Sequence, residues 1–397
     1  MQDMSLKKIG HITLYDYNYG SALQCYALQS YLKQQGYACE LLSQRSSKSY
    51  WGARMRTALQ LAGLCLRHPT YAADILRNFS SQRAKNLTLT PQSCEAIKLF
   101  IRASISKKDL SWSSLCKLGK DASYHAFLVG SDQVWNGARV LHQEFYFLRF
   151  APKEKRVAYA PSFGGNEIQS YNRSKYEKYL SEFSYLSARE KTGADLIAQV
   201  IGKEIPVLAD PVCLLPQAEW MRLISQNHAN NDRLPKKPFL LAFFLDAPSK
   251  AAIQGLQTLQ TEYHLPIISF GYRYDVYDGF SNYRHVDGSP WEFLHLINEA
   301  ATVCTDSFHA TVFSLLFHTE FYTYSRCYQH KQNQSTRVTD LLENTSMLDR
   351  FDPVAPSMTG KVDFSVADAY ISILRERSAL YLRQVLEGLF SNDEFLK

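Results

Sequence analysis

No uninterrupted apolar stretch in this chain approaches the roughly 20 residues needed to cross a bilayer, so a membrane-spanning protein is not expected. The amino terminus, Met-Gln-Asp-Met-Ser-Leu-Lys-Lys, has none of the apolar core of a secretion signal. Eight cysteines are scattered without a close pair, which argues against a zinc site and a disulfide framework and makes a reducing cytosol the expected setting. The Gly-Lys-Ser/Thr phosphate loop is missing, and no cluster of metal-ligating residues is evident, so no metal is expected.

Acids are scarce in one place. Between Gln44 and Lys120, 14 Lys and Arg stand against three acids (Asp74, Glu95, Asp109), a local excess larger than the +6 of the whole chain. The segment lacks the dense basic blocks with interleaved aromatics of a nucleic-acid surface. An anionic membrane face or a diphosphate-linked substrate is the expected partner, and nucleic acid is not. Within it Met55, Leu59, Ala62 and Leu66 form an apolar stripe at helical spacing, with Arg54, Arg56 and Arg67 around them. A helix lying on a membrane and an ordinary core-facing helix share that pattern.

What is present is globular: 46% hydrophobic residues, 13% aromatics, and a length of 397 that allows two cores. Lys8 to Tyr15 reads as a buried strand, Leu23 to Leu32 as one face of a helix stopped at Gly36, and Tyr37 to Ser43 as a strand. This βαβ opening predicts a parallel sheet. The basic segment follows, with Asn86 to Pro91 and Lys107 to Ser114 expected as loops. Short strands then recur at Ala126 to Val129, Lys155 to Tyr159, Phe183 to Ala188 and Ile205 to Leu208. The polar stretch Asn227 to Pro238 is the expected linker between domains 1–230 and 231–397, with the basic segment (about 44–120) as an insertion in the first. The second half repeats the rhythm and closes with an amphipathic helix from about Ala367 to Leu389, free to pack back on the first half.

One stretch organises the second half. Thr302-Val303-Cys304-Thr305 ends in Asp306-Ser307, and Phe308 to Phe317 then runs at helical spacing, so strand, turn and helix are expected, with His309 in the first helical turn. Free N–H groups and the helix dipole favour an anion there, and in a doubly wound sheet ligands bind at that edge. Asp306 or Ser307 also reads simply as an N-cap. Gly130-Ser131-Asp132-Gln133-Val134-Trp135-Asn136 sits at a strand's carboxyl end, as a binding loop would. Arg189, directly after a strand, is placed either to clamp a carboxylate or phosphate or to pair with Glu190 or Asp195.

Together these motifs resemble the polysaccharide pyruvyl transferase family. The resemblance rests on Asn18-Tyr19-Gly20 leading into Leu23 to Leu28, on Gly130 to Asn136, Tyr159 to Gly164, Ser187 to Glu190, Asp210-Pro211-Val212 and Thr305 to Thr311, over about residues 8 to 350. It implies an α/β, GT-B-like fold of two Rossmann-like domains facing a central cleft. It also implies transfer of the pyruvyl group of phosphoenolpyruvate onto two sugar hydroxyls as a cyclic ketal, with phosphoenolpyruvate as co-substrate and no cofactor. The expected donor site comprises Arg189, His309 and Ser307. Ser307 stands where many relatives have Arg, so Arg326, Lys331 or Arg337 is expected to supply the missing cation. The acceptor, expected to be carried on a polyprenyl diphosphate, would meet Asn18, Gly20, Ser131, Asp132, Gln133, Trp135, Asn136 and Ser162. His309, Asp132 and Asp306 are the candidate acids and bases. A nucleotide-sugar glycosyltransferase of the same fold is the alternative, and a cytoplasmic chain, peripheral on the inner membrane face, the expected setting.

Overall fold

The computed structural model describes residues 7–16, 18–45, 50–83, 89–141, 143–226, 238–326, 336–358 and 362–388. The first half comprises β1 (Lys8–Ile12), α1 (Tyr19–Gln34), β2 (Ala38–Gln44), α2 (Tyr50–Arg67), α3 (Ala72–Arg83), α4 (Pro91–Ser104), β3 (Lys107–Leu110), α5 (Trp112–Gly119) and β4 (Tyr124–Val129). It continues through β5 (Arg156–Ala158), α6 (Arg173–Leu180), α7 (Lys191–Ile201) and α8 (Gln217–Gln226). The second half comprises β6 (Leu240–Phe243), α9 (Lys250–Tyr263), β7 (Ile267–Phe270), β8 (Tyr283–Val286), α10 (Pro290–Glu299), β9 (Thr302–Thr305), α11 (Phe308–Phe317) and β10 (Phe321–Thr323). Helices α12 (Thr336–Asn344) and α13 (Ser365–Glu387) close the chain.

Each half builds one five-stranded sheet, parallel throughout. The orders are β3-β2-β1-β4-β5 and β8-β7-β6-β9-β10, the same winding twice. In both, the chain moves outward from its first strand and returns to that strand's other side. The switch points therefore lie between β1 and β4 and between β6 and β9, and the crevice outside those strand ends is where such sheets hold ligands.

The expected loop from Lys107 to Ser114 is instead edge strand β3 followed by the start of α5. Lys107-Lys108-Asp109-Leu110 pairs with Leu41 to Gln44 while its side chains stay largely exposed, so it carries no hydrophobic signature. Within the basic segment, β3 thus belongs to the first sheet, while α2 and α3 pack on each other as a hairpin. Strand β8 lies in the Tyr- and Asp-rich stretch between β7 and α10 and, like β3, is only partly buried. Phe183 to Ala188 and Ile205 to Leu208 join the fold through single bridges, Val157 with Tyr185 and Ala188 with Val207.

One apolar core runs through both halves. Tyr19 of α1 stacks on Phe293 of α10 at 5.2 Å and donates its hydroxyl to Gly288 O at 3.1 Å. From the carboxyl end, α13 returns to the first half, where Ser378 Oγ accepts from Ala209 N at 2.8 Å and Tyr381 OH donates to Ala158 O at 3.1 Å. Among the described residues no helix is long and apolar enough to cross a membrane.

Candidate active site

The turn after β9 is built by its own side chains. Ser307 caps α11, its hydroxyl accepting from Ala310 N, and its own N–H is held by Thr305 Oγ1 at 3.0 Å. Asp306 is held by its own neighbours: Oδ1 accepts from Leu245 N at 2.7 Å, Oδ2 from Asp246 N at 3.1 Å, and Arg326 Nε lies 3.1 Å from Oδ2. This buried carboxylate ties the ends of β6 and β9 together. Its lone pairs are committed to the backbone, which corrects the expectation of a free acid or base there.

His309, second in α11 and 6% exposed, reaches across to the first half. Its Nε2 lies 3.4 Å from Asp210 Oδ2, and the same oxygen receives Arg189 Nη1 at 2.7 Å and Ser131 Oγ at 3.0 Å. Asp210 is thus a hub joining three segments. Burial alone would raise its carboxyl, but the His309 imidazole and Arg189 guanidinium outweigh burial and hold it well below the usual carboxylate range. Arg189 spans 4.3 Å to the Phe308 ring centroid, with Glu190 Oε2 3.5 Å from its Nε. Asp195, the other partner considered for it, pairs with Lys191 instead.

Arg337, in the first turn of α12, faces the same ring at 5.9 Å. With the Gln133 amide turned so that its oxygen faces the guanidinium, that oxygen accepts from Nη2 at 2.7 Å and Nη1 at 3.0 Å. Burial and the like charges of Arg189 and Arg326 depress the Arg337 pKa to about 10. Of the three cations weighed as substitutes at Ser307, Arg337 is the one gathered with Arg189 and His309. Arg326 is bound to Asp306, also donating from Nε and Nη2 to its carbonyl, and Lys331 lies outside the described residues. Arg189 Nη2, Arg337 Nε and His309 Nε2 are buried without a hydrogen-bond partner among the described residues. Two guanidinium groups with unmet N–H donors, beside an imidazole held only by the 3.4 Å contact to Asp210, form around one phenyl ring a site suited to an anion with several oxygens.

The loops of the first half divide in two. Gln133 and Asn136 are partly exposed at the crevice, and Asp132, 8% exposed with φ +57°, caps Gln133 N at 2.8 Å through Oδ1. Trp135 does not face the crevice. It is fully buried, stacked on Phe147 at 5.6 Å, its indole N–H donated to Tyr146 O, so its place in the acceptor set is corrected to core. Ser131 and Ser162 are also fully buried, Ser131 on Asp210 and Ser162 on Glu190 Oε1 at 2.8 Å. Asn18 caps α1, accepting from Ser21 N at 2.9 Å. Gly20 is pressed against the His309 ring, which a Cβ there would strike.

The sequence does not mark Asp210, Glu190 or Phe308 as site residues. Asp210 stood out only within Asp210-Pro211-Val212, where a capping role, which it also performs on Val212 N at 3.2 Å, is sufficient reason for an Asp before Pro. Phe308 looked like any core position. Among the described residues no group of three or more His, Cys, Asp or Glu is arranged to hold a metal ion.

A family model described as polysaccharide pyruvyl transferase matches residues 18–328. No curated protein matches the chain in sequence. Among solved structures, the S. aureus MnaA–UDP co-structure is similar over 97% of this chain and 98% of that chain, at 11% identity and a TM-score of 0.50. A UDP-N-acetylglucosamine 2-epimerase from Rickettsia bellii (8% identity, 97% and 98% covered, TM-score 0.49) and Arabidopsis thaliana UGT89C1 complexed with UDP-L-rhamnose (9%, 97% and 100%, 0.48) are also similar. The fold of this chain, two Rossmann-like domains in a GT-B-like arrangement, agrees with its two equally wound sheets.

Proposed function

Because this chain belongs to the polysaccharide pyruvyl transferase family, we propose that it moves the pyruvyl group of phosphoenolpyruvate onto two hydroxyls of a sugar in a surface-polysaccharide precursor. The observation that carries this reading is the gathering of the buried Arg189 and Arg337 guanidinium groups, each with an unmet N–H, around Phe308 beside the His309 imidazole. Phosphoenolpyruvate carries two anionic groups, a carboxylate and a phosphate, on one small carbon frame. Two guanidinium groups and an imidazole around Phe308 are matched to that pair.

In this mechanism a proton adds to the donor's methylene carbon, C2 becomes an oxocarbenium-like centre, and a first sugar hydroxyl attacks it. Phosphate then leaves with the bridging oxygen, and the second hydroxyl closes the ketal. Of the two hydroxyl protons, one is balanced by the new methyl group and the other by the departing phosphate. Arg189 and Arg337 hold the donor's anionic groups, and His309 hydrogen-bonds or protonates the leaving phosphate. Asp210 orients Arg189 and His309 without touching substrate. Asp132, at the acceptor side beside Gln133 and Asn136, takes the hydroxyl proton. We take the acceptor to be carried on a polyprenyl diphosphate at the membrane face.

The test is phosphate release from phosphoenolpyruvate against a panel of lipid-linked and simple β-galactoside or N-acetylmannosamine acceptors, in the parent, His309→Ala and Arg189→Ala. Acceptor-dependent release with a pyruvate-sized mass gain on the sugar, lost in both variants, is the expected result. No release, no calorimetric binding of phosphoenolpyruvate, and a thermal shift with nucleotide sugars would move the reading to a glycosyltransferase.

A further inference from the structure

Helix α2 has two apolar faces. One, formed by Leu61, Leu64 and Cys65, packs on a small cluster of Ile75, Val140 and Tyr171. The other is the Met55, Leu59, Ala62, Leu66 stripe, and it points outward: Met55 is 66%, Leu59 69% and Leu66 82% exposed. The core-facing alternative for this stripe is thereby excluded. Of the eleven large hydrophobic side chains exposed among the described residues, five (Met55, Leu59, Leu66, Tyr71, Leu76) lie in the α2–α3 hairpin, so the open apolar surface is concentrated there.

From the open face of α2 we infer that the hairpin docks on an anionic lipid bilayer, Met55, Leu59 and Leu66 entering the interface. The charge of the hairpin selects this occupant. Tyr50 to Arg83 holds five arginines and one acid, Asp74, which is paired with Arg77 at 3.3 Å. Arg56 and Arg67 are exposed and eleven residues apart, about three helical turns, so they share one margin of the stripe. A second copy of this chain would bring the same positive charge against itself. A surface of anionic headgroups over acyl chains complements both features of the face at once.

The position of the hairpin gives docking a use, which rests on the lipid-carried acceptor proposed above. Val140, one of the residues α2 packs on, lies four residues beyond Asn136 on the loop that continues from Gln133 to Asn136. The inner face of the docked hairpin is thereby joined through Val140 to the chain that continues this partly exposed loop.

Flotation of the full chain with vesicles of equal parts phosphatidylglycerol and phosphatidylcholine, against phosphatidylcholine alone, tests the inference. Flotation with the anionic vesicles only, release by high salt, about a five-fold loss of binding for each of Arg56→Ala and Arg67→Ala, and abolition in Leu59→Glu/Leu66→Glu are expected. Both leucines are exposed, so the double variant should keep the parent's melting temperature and its turnover of a short soluble acceptor. Equal flotation of parent and double variant, no flotation at all, or a lipid-independent dimer that the double variant abolishes would overturn it. Flotation without any phosphoenolpyruvate turnover would leave docking standing and remove the proposed reaction.

Discussion

Gly20, in the first turn of α1, and His309, in the first turn of α11, touch across the two halves of the molecule, and a Cβ on Gly20 would run into the imidazole. The glycine that sequence pattern suggested for a ligand's close approach is therefore occupied by the protein's own histidine. Gly20→Ala in an ordinary helix would gain up to about 1 kcal/mol. Here it should instead destabilise by about 1–3 kcal/mol through overpacking and lower turnover by pushing His309 off Asp210. Urea melts of the two single variants and the double variant check this: in the His309→Ala background the added methyl should cost nothing. Equal costs in both backgrounds would remove the contact as the cause.

Arg337 should matter to the donor and not to the fold. Losing a charge-assisted hydrogen bond removes about 1.5–3 kcal/mol, so Arg337→Ala is expected to raise the KM for phosphoenolpyruvate by about 10- to 150-fold. Because burial and two neighbouring guanidinium groups already depress the Arg337 pKa to about 10, its removal should leave the melting temperature unchanged or higher. Arg326→Ala should behave oppositely, since it uncovers buried Asp306 and loosens the junction of β6 and β9. A KM effect confined to Arg326→Ala would give the donor site to the other arginine.

Legibility in the sequence followed locality. Strand-turn-helix at Thr302 to Phe317 was readable because each step uses neighbouring residues, β-branched ones in the strand, a Ser N-cap and a continuous apolar helix. Strand β3 was not, because an edge strand with exposed lysines has no hydrophobic alternation to show. The site was half legible: Arg189, His309 and Arg337 were named, but what joins them is Asp210, from a segment 21 residues after Arg189 and 99 before His309. Trp135 failed for a related reason. A tryptophan in a polar loop motif looks the same whether it meets a sugar or anchors the loop below.

Asp210 predicts an acid-side dependence of stability. Its folded pKa lies below its unfolded value of about 3.9. The unfolded chain therefore takes up this proton first as pH falls, and the stabilisation, complete above about pH 5, is lost below about pH 4. Asp210→Asn leaves Arg189 buried without its main counter-charge and should cost about 3–5 kcal/mol at pH 7. The gap between parent and variant, read from urea midpoints at pH 7 and pH 3, should narrow at the lower pH. A gap that does not change would mean that shape, not charge, fixes this position.

Asp340 predicts the opposite slope. It sits one turn after Arg337 on α12, and its buried Oδ2 has no hydrogen-bond partner among the described residues. Burial, then the nearby Glu190 carboxylate, raise its pKa to about 6. Between about pH 4 and pH 6 the folded chain holds a proton that the unfolded chain has released, so stability from this group falls as pH rises, and ionised Asp340 is a net cost at neutrality. Asp340→Asn keeps an acceptor for Thr192 N and removes the charge. It should stabilise by about 1 kcal/mol at pH 7, discounted for partial solvent access, and by nothing at pH 4. The same substitution removes a negative charge one turn from Arg337, so the KM for phosphoenolpyruvate should also fall at pH 7 and converge with the parent's below pH 6. A stability gain independent of pH would assign it to helix propensity, and an unchanged KM would place Asp340 outside the field of the donor site.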